Sequence, residues 1–272
     1  MKKIFLFLFL ILLSLSKVNA GVEVKPEPPK QEIFQVACDL EGCNKKYPAT
    51  WVVERKTDNN NDPIIFWLSG GSGKSTGLDP IDKLEGKFHI ILFVNPYDNR
   101  IGRNKGYCPE CYSKDQAQRI KSIILFYKNK YNKPIWLGGQ SFGAPRILNY
   151  LSYSEENSKL IEGAILTASA VGNPIRTSIK KIKDLNIPVA IIHHTRDVCK
   201  YSNFKIAKEF SEQFAKINLN KTEFIEVSAG NLPKDNSQVC DPAGANHMFN
   251  DSGVELADEI IKFIKNNRIK KN

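Results

Sequence analysis

Six short apolar runs divide the chain: Ile64 to Leu68, Phe88 to Val94, Ile135 to Gly138, Gly163 to Thr167, Val189 to His193 and Thr222 to Val227. Each has the length and composition of a strand, and longer stretches of helical periodicity separate most of them. Ile120, Ile123, Ile124, Tyr127 and Tyr131 share one helical face, with Ser113 and Gln116 forming a capping-box pattern ahead of it. Ile206, Phe210, Phe214 and Ile217 form a second face, and Val254, Ala257, Ile260, Ile261 and Ile264 a third. Strands that alternate with helices pair in parallel, so the expected architecture is α/β, a mostly parallel central sheet with helices on both faces. Two earlier segments, Ile33 to Ala37 and Trp51 to Glu54, are expected to add antiparallel edge strands.

The amino terminus has a different character. Lys2 and Lys3 precede an apolar run from Ile4 to Leu15, and Val18-Asn19-Ala20 ends it with small residues, the pattern of a secretory signal over residues 1–20. That run is too short to span a bilayer, and no later segment is longer, so no stable membrane insertion is expected. The proline-rich stretch 21–30, GVEVKPEPPK, has the composition of a lead-in, and the basic residues 267–272 that of a tail. Residues 31–266 are expected to form one domain, within the size an α/β fold reaches undivided. The protein is expected to be exported, to the periplasm or beyond.

Charge narrows the partners. The formal charge is +10, and loss of the leader's three lysines, Lys2, Lys3 and Lys17, brings it to +7. The remaining lysines are scattered and interleaved with acids, as in KIAKEFSEQFAK, which reads as solvated helix faces and not as a nucleic-acid surface.

The stretch GGSGKST, Gly70 to Thr76, has the composition of a phosphate-binding loop. Such a loop needs GxxxxGK followed by Ser or Thr, and counting back from Gly73-Lys74-Ser75 puts Leu68 where the first glycine belongs. Export argues the same way, since nucleoside triphosphates are scarce outside the cytoplasm. A second stretch offers these glycines another use. PIWLGGQSFGAPRIL is a strand, then Gly139-Gln140-Ser141-Phe142-Gly143, then a helix with Pro145 near its first turn. GxSxG between a strand and a helix exposes a serine on a tight turn, with glycines where side chains would collide with the strand or the helix.

With this motif in this setting the chain resembles the α/β-hydrolase superfamily, from about Ile33 to the last helix. The resemblance implies that Ser141 is a nucleophile and that the loop after the third strand supplies a backbone amide to an oxyanion. Here that loop reads Ser69-Gly70-Gly71-Ser72-Gly73, similar to the family's HGGPG variant with Ser69 in place of histidine. The expected oxyanion hole is the amides of Phe142 and Gly71, with Ser72 next in line. Family order then requires an acid and a histidine after the nucleophile. His247, between the last strand and the last helix, is the histidine in that slot, whereas His89 lies inside a strand and His193 and His194 precede the acid. Asp197, just past the Val189 strand, is the expected acid; Asp241 is the alternative, and Asp184 lies on the wrong side of the strand. The three residue types work together because imidazole activates the hydroxyl while a buried carboxylate orients the imidazole.

All six cysteines follow the leader, and an even number in an exported chain points to disulfides. Spacing favours Cys38 with Cys43, Cys108 with Cys111 and Cys199 with Cys240; a structural zinc site from CDLEGC and CPEC is the rival reading. A Cys199–Cys240 bond would tie the acid loop to the histidine loop, an arrangement that resembles some exported bacterial α/β-hydrolases. Neither a metal nor another cofactor is expected.

Only about fifteen residues, Val171 to Leu185, separate the Gly163 and Val189 strand patterns, so no large cap domain is expected. The loop NPYDNRIGRNKGYCPEC is expected on the catalytic side, where Arg100, Arg103 and Lys105 would suit a polar or anionic substrate. CPEC as a thiol redox centre lacks a thioredoxin-like setting. The expected function is a serine hydrolase acting on a small-molecule or peptide substrate. The alternative is a binding protein on the same scaffold without turnover.

Overall fold

The computed structural model describes residues 31–57, 62–70, 81–94, 113–170, 181–182, 185–199, 202–218, 221–230, 247, 249 and 251–268. Their strands are β1 (Gln31–Ala37), β2 (Ala49–Arg55), β3 (Ile64–Leu68), β4 (His89–Val94), β5 (Ile135–Gln140), β6 (Gly163–Thr167), β7 (Val189–His194) and β8 (Thr222–Val227). The helices are α1 (Ile81–Leu84), α2 (Lys114–Tyr131), α3 (Gly143–Tyr153), α4 (Glu155–Lys159), α5 (Phe204–Ile217) and α6 (Gly253–Asn267).

The strands form one eight-stranded sheet in the order β1-β2-β4-β3-β5-β6-β7-β8. β1 pairs antiparallel with β2 and β2 antiparallel with β4, while every pairing from β4 to β8 is parallel. The two early segments thus form the antiparallel edge that their position ahead of the alternating units suggests.

Period-two alternation divides the core between the two faces. On one face Ile64, Phe66, Leu68, Leu137, Val189 and Ile191 meet Ile120, Ile123 and Ile124 of α2, Ile147 and Leu148 of α3, and Phe210 and Phe214 of α5. On the other Ile65, Trp67, Trp136, Ala190 and Ile192 meet Ile81 and Leu84 of α1 and Leu256, Ile260, Phe263 and Ile264 of α6. Complete burial of such side chains contributes about 1.5–3 kcal/mol each, which is why strands apolar on both faces must sit mid-sheet. The connection from β6 to β7, residues 168–188, is too short for a separate cap domain. No helix of the described residues is long and apolar enough to cross a membrane.

Polar anchors set the ends of these elements. Ser113 caps α2, its side chain accepting from the Gln116 N–H at 3.1 Å. The reciprocal half of the capping box is not made, because the buried Gln116 amide has no hydrogen-bond partner among the described residues. Arg119, wholly buried, donates to Asp115, to the Thr50 hydroxyl and to the Tyr47 carbonyl, fastening the Cys38–Cys43 loop to α2. Cys38 and Cys43 form a disulfide, which removes this pair from any zinc site. At the amino-terminal end of the parallel strands, His89 Nε2 lies 2.7 Å from the buried Glu54 carboxylate, so His89 has the structural role its strand position suggests. Lys130 Nζ, at 3.0 Å, and the hydroxyls of Tyr131, at 2.5 Å, and Tyr127, at 3.5 Å, also donate to that carboxylate.

Candidate active site

The turn after β5 is where the backbone is most constrained. Ser141 takes a left-handed conformation, φ +50°, and α3 begins two residues later. A Cβ on Gly143 would lie 1.9 Å from the Leu68 carbonyl oxygen, and one on Gly139 would lie 2.7 Å from the Gly143 carbonyl carbon. Both glycines are therefore required by close approach, one to the neighbouring strand and one to the helix. Ser141 N–H donates to the Thr167 carbonyl at 2.9 Å, which fixes the turn to β6. The side chain so raised is partly exposed at the carboxyl end of the parallel strands.

The end of β3 lies against this turn. A Cβ on Gly70 would come within 2.8 Å of Ser141 Cβ, so the chain leaving β3 passes directly beside the serine. Arg146, buried in α3, donates from Nη1 to the Ser69 carbonyl at 2.9 Å and holds that strand end. Phe142 is the N-cap residue of α3, so its amide belongs to the electropositive end of that helix. Gly71 and Ser72 lie outside the described residues.

Asp197 and His247 meet Ser141 in a line. His247 Nε2 lies 3.1 Å from Ser141 Oγ, and its Nδ1 lies 3.0 Å from Asp197 Oδ2. Both Asp197 and His247 are buried. Asp197 sits three residues past β7, its N–H donating to the His194 carbonyl at 3.0 Å and its carbonyl accepting from Phe204 N–H at 3.2 Å. Its Oδ1 accepts the Cys199 N–H at 2.8 Å. Burial alone would raise the Asp197 carboxyl, but hydrogen bonds from His193 and His247 outweigh it and hold the group well below the usual carboxylate range. A hydroxyl on one imidazole nitrogen and a buried carboxylate on the other is an arrangement that can take a proton from the hydroxyl and stabilise the resulting imidazolium.

Two further side chains converge on the same carboxylate, and neither is singled out by the sequence. Ser202 Oγ lies 2.8 Å from His247 Nδ1 and 3.3 Å from Asp197 Oδ2. His193 Nε2 lies 3.0 Å from Asp197 Oδ2. The signal for His193 was its place at the carboxyl end of a strand buried on both faces, next to the acid.

Cys199 Sγ, one oxygen of Asp197 and one nitrogen of His247 lie within 4.8 Å of one another, a spacing that could suit a metal ion. Cys199, however, is disulfide-bonded, so its sulfur is not a thiolate ligand. Its partner is not among the described residues, and Cys108, Cys111 and Cys240 all lie outside them, as do Asp184, Asp241, Arg100, Arg103 and Lys105.

The overall arrangement can be compared with solved structures. An esterase from Pyrococcus furiosus superposes with a TM-score of 0.59 at 14% identity, over 88% of this chain and 93% of that one. A dienelactone hydrolase from Anabaena variabilis gives 0.58 at 8% identity, over 89% and 100%. An α/β serine hydrolase without a lid, from Xanthomonas campestris, gives 0.54 at 12% identity, over 88% and 95%. This chain has the α/β-hydrolase fold. Within that fold the turn at Ser141 follows the fifth strand, the position the GxSxG resemblance implies. No family model and no curated protein matches the sequence.

Proposed function

We propose that this protein is an exported serine hydrolase that cleaves an ester or amide through an acyl-serine intermediate. Ser141 is the nucleophile, His247 the general base and Asp197 the acid that orients it. The observation that carries the reading is the line Ser141 Oγ, His247 Nε2 at 3.1 Å, His247 Nδ1, Asp197 Oδ2 at 3.0 Å, mounted on a strand-to-helix turn. As Ser141 Oγ attacks the acyl carbon, its proton passes to His247 Nε2 and the carbonyl electron pair moves onto oxygen. The amides of Phe142 and Gly71 stabilise that oxyanion; losing one such donor costs about 3 kcal/mol of barrier. Collapse expels the alcohol or amine, which takes the proton from His247, and water then repeats the sequence to release the acid. No cofactor takes part.

The esterases and the dienelactone hydrolase among the similar structures favour a small acyl ester over a peptide. The Cys38–Cys43 disulfide fits an oxidising compartment, in keeping with the leader. Treatment of the purified protein with a fluorophosphonate, followed by peptide mass spectrometry, tests the reading: the adduct is expected on Ser141, together with turnover of short-chain acyl esters. Full activity in folded Ser141→Ala would refute it.

A further inference from the structure

We infer that His193 is a positioning residue for the acid, a second imidazole that donates permanently from Nε2 to Asp197 and so keeps the carboxylate aimed at His247; its role in turnover rests on the hydrolase reading above.

The geometry fixes the direction of the bond. His193 is completely buried, and its Nδ1 has no hydrogen-bond partner among the described residues. Its Nε2 faces two acceptors, Asp197 Oδ2 at 3.0 Å and the Ser202 carbonyl. A proton on Nε2 serves both. A proton on Nδ1 alone would be buried without an acceptor among the described residues and would turn a lone pair toward two oxygens, which is costly for a fully buried ring. Nε2 is therefore a protonated nitrogen of the ring and the donor to both oxygens.

That single N–H reaches both ends of the turn that holds the acid. It bonds the carboxylate of Asp197 and the backbone of Ser202, whose hydroxyl lies within 3.3 Å of the same Oδ2. Asp197 Oδ2 thus receives His193 from the strand side and His247 from the loop before α6. The other titratable and charged groups around it are engaged elsewhere. His194 points to the opposite face, with Nε2 on the Ala229 carbonyl, and Arg196 reaches the carbonyls of Ser228 and Ala229. Glu226, opposite His193 on β8, is paired outward with Lys208 at 3.2 Å.

A carboxylate oxygen held by a fixed donor cannot rotate away from His247. Removing the His193 donor while keeping its bulk should loosen the acid, and a donor of similar size should restore it. Rescue by a donating side chain is an effect that a purely structural histidine does not have.

The experiment combines histidine ring NMR with fluorophosphonate labelling rates across pH 5–9. In nitrogen-15-labelled wild-type protein, one histidine, assigned by its loss in His193→Gln, is expected to carry a proton on Nε2. A His193 ring that lacks a proton on Nε2 would overturn the inference. His193→Gln, whose amide can still donate, should label within about threefold of wild type, whereas His193→Leu should be slowed on the order of tenfold or more. A folded His193→Leu with wild-type rate would also overturn it. If His193→Leu does not fold, the wild-type tautomer and the His193→Gln rate decide. If Ser141 takes no label in wild type, the hydrolase reading fails, and the ring's protonation state still decides whether His193 is the acid's fixed donor.

Discussion

Ser202 Oγ lies 2.8 Å from His247 Nδ1, on the side of the imidazole opposite Ser141, and 3.3 Å from Asp197 Oδ2. Two serines therefore flank one histidine, and only Ser141, at Nε2, is partly exposed, Ser202 being completely buried. Ser202→Ala removes a donor to the carboxylate without orphaning any other group, since Asp197 Oδ2 retains both imidazoles. The expected loss in kcat/KM on an acyl ester is on the order of tenfold, since the bond lost is one of three to the same oxygen of an ionised carboxylate. A loss of a thousandfold or more would instead put Ser202 at the centre of the chemistry.

Substitutions along the line from Ser141 to Asp197 should be far more severe. Ser141→Ala should abolish covalent labelling and lower turnover on the order of 10⁴-fold, with His247→Ala comparable, because each removes a group the others cannot replace. Asp197→Asn is expected to be nearly as damaging, since an amide at Oδ2 can favour the wrong imidazole tautomer. Asp241→Asn should be mild. A severe Asp241→Asn beside a mild Asp197→Asn would exchange the two acids.

The sheet was legible because its strands are short, apolar and separated by helical faces; the runs at Ile64, Gly163 and Thr222 coincide with β3, β6 and β8 at both ends. Ser141, Asp197 and His247 were legible as candidates from the GxSxG motif and from chain order, although His247 lies twenty residues past β8. Ser202 and His193 were not. Their contacts depend on the fold of the turn after β7, where Phe204 N–H returns to the Asp197 carbonyl, and nothing in HHTRDVCKYS specifies that return. His193 was set aside because it precedes the acid in sequence, yet order does not limit which groups share a carboxylate. Buried charges were equally hidden: Glu54 and Arg146 occupy a strand and a helix whose apolar patterns do not depend on them, and their burial follows from partners distant in sequence.

Gly143 offers a test of the elbow that does not touch the reacting groups. A methyl group there would stand 1.9 Å from the Leu68 carbonyl oxygen, so Gly143→Ala must push α3 away from β3. The expected cost is at least the 1–3 kcal/mol typical of overpacking, seen as a lower Tm. Activity should fall further than stability, because Ser141 and the chain at Gly70 move apart. Retention of wild-type kcat and Tm would mean that the turn tolerates more space than its geometry allows.

Acid should weaken the fold in two stages. Burial pushes His194 below its ordinary value, the Ala229 carbonyl opposing this and the Arg196 charge adding to it. The unfolded chain then binds a proton near pH 6.5 before the native chain does, so this contribution is complete above that pH and declines below it, by at most about 1.4 kcal/mol per pH unit. Glu54 is held down to about 2, burial being outweighed by hydrogen bonds from His89, Tyr131 and Lys130, and Asp197 is depressed as well. Their contributions are present above about pH 4 and are lost as pH falls through their native values. Thermal unfolding should thus show Tm declining gently below pH 6.5 and steeply below 4. His194→Gln, which keeps a donor for Ala229 but cannot titrate, should reduce the gentle decline; an unchanged slope would remove His194 as its source.

Cys199 is bonded to a cysteine beyond the described residues, and the proposed partner is Cys240. The pairing matters because the Cys199 N–H donates to Asp197 Oδ1 at 2.8 Å, so whatever fixes Cys199 also fixes the acid. A bond to Cys240 closes a loop of about forty residues and constrains the unfolded chain by about 4 kcal/mol on the entropy model. For a domain of this size that corresponds to a Tm lower by roughly 8–16 °C in Cys240→Ser. The acid and the base would lose a common tether at the same time, so kcat should fall by several-fold at temperatures where the protein is still folded. A non-reducing peptide map of protein purified under oxidising conditions decides the partner directly. A Cys199 peptide joined to Cys108 or Cys111 would reject the pairing, and with it the tie between the two loops.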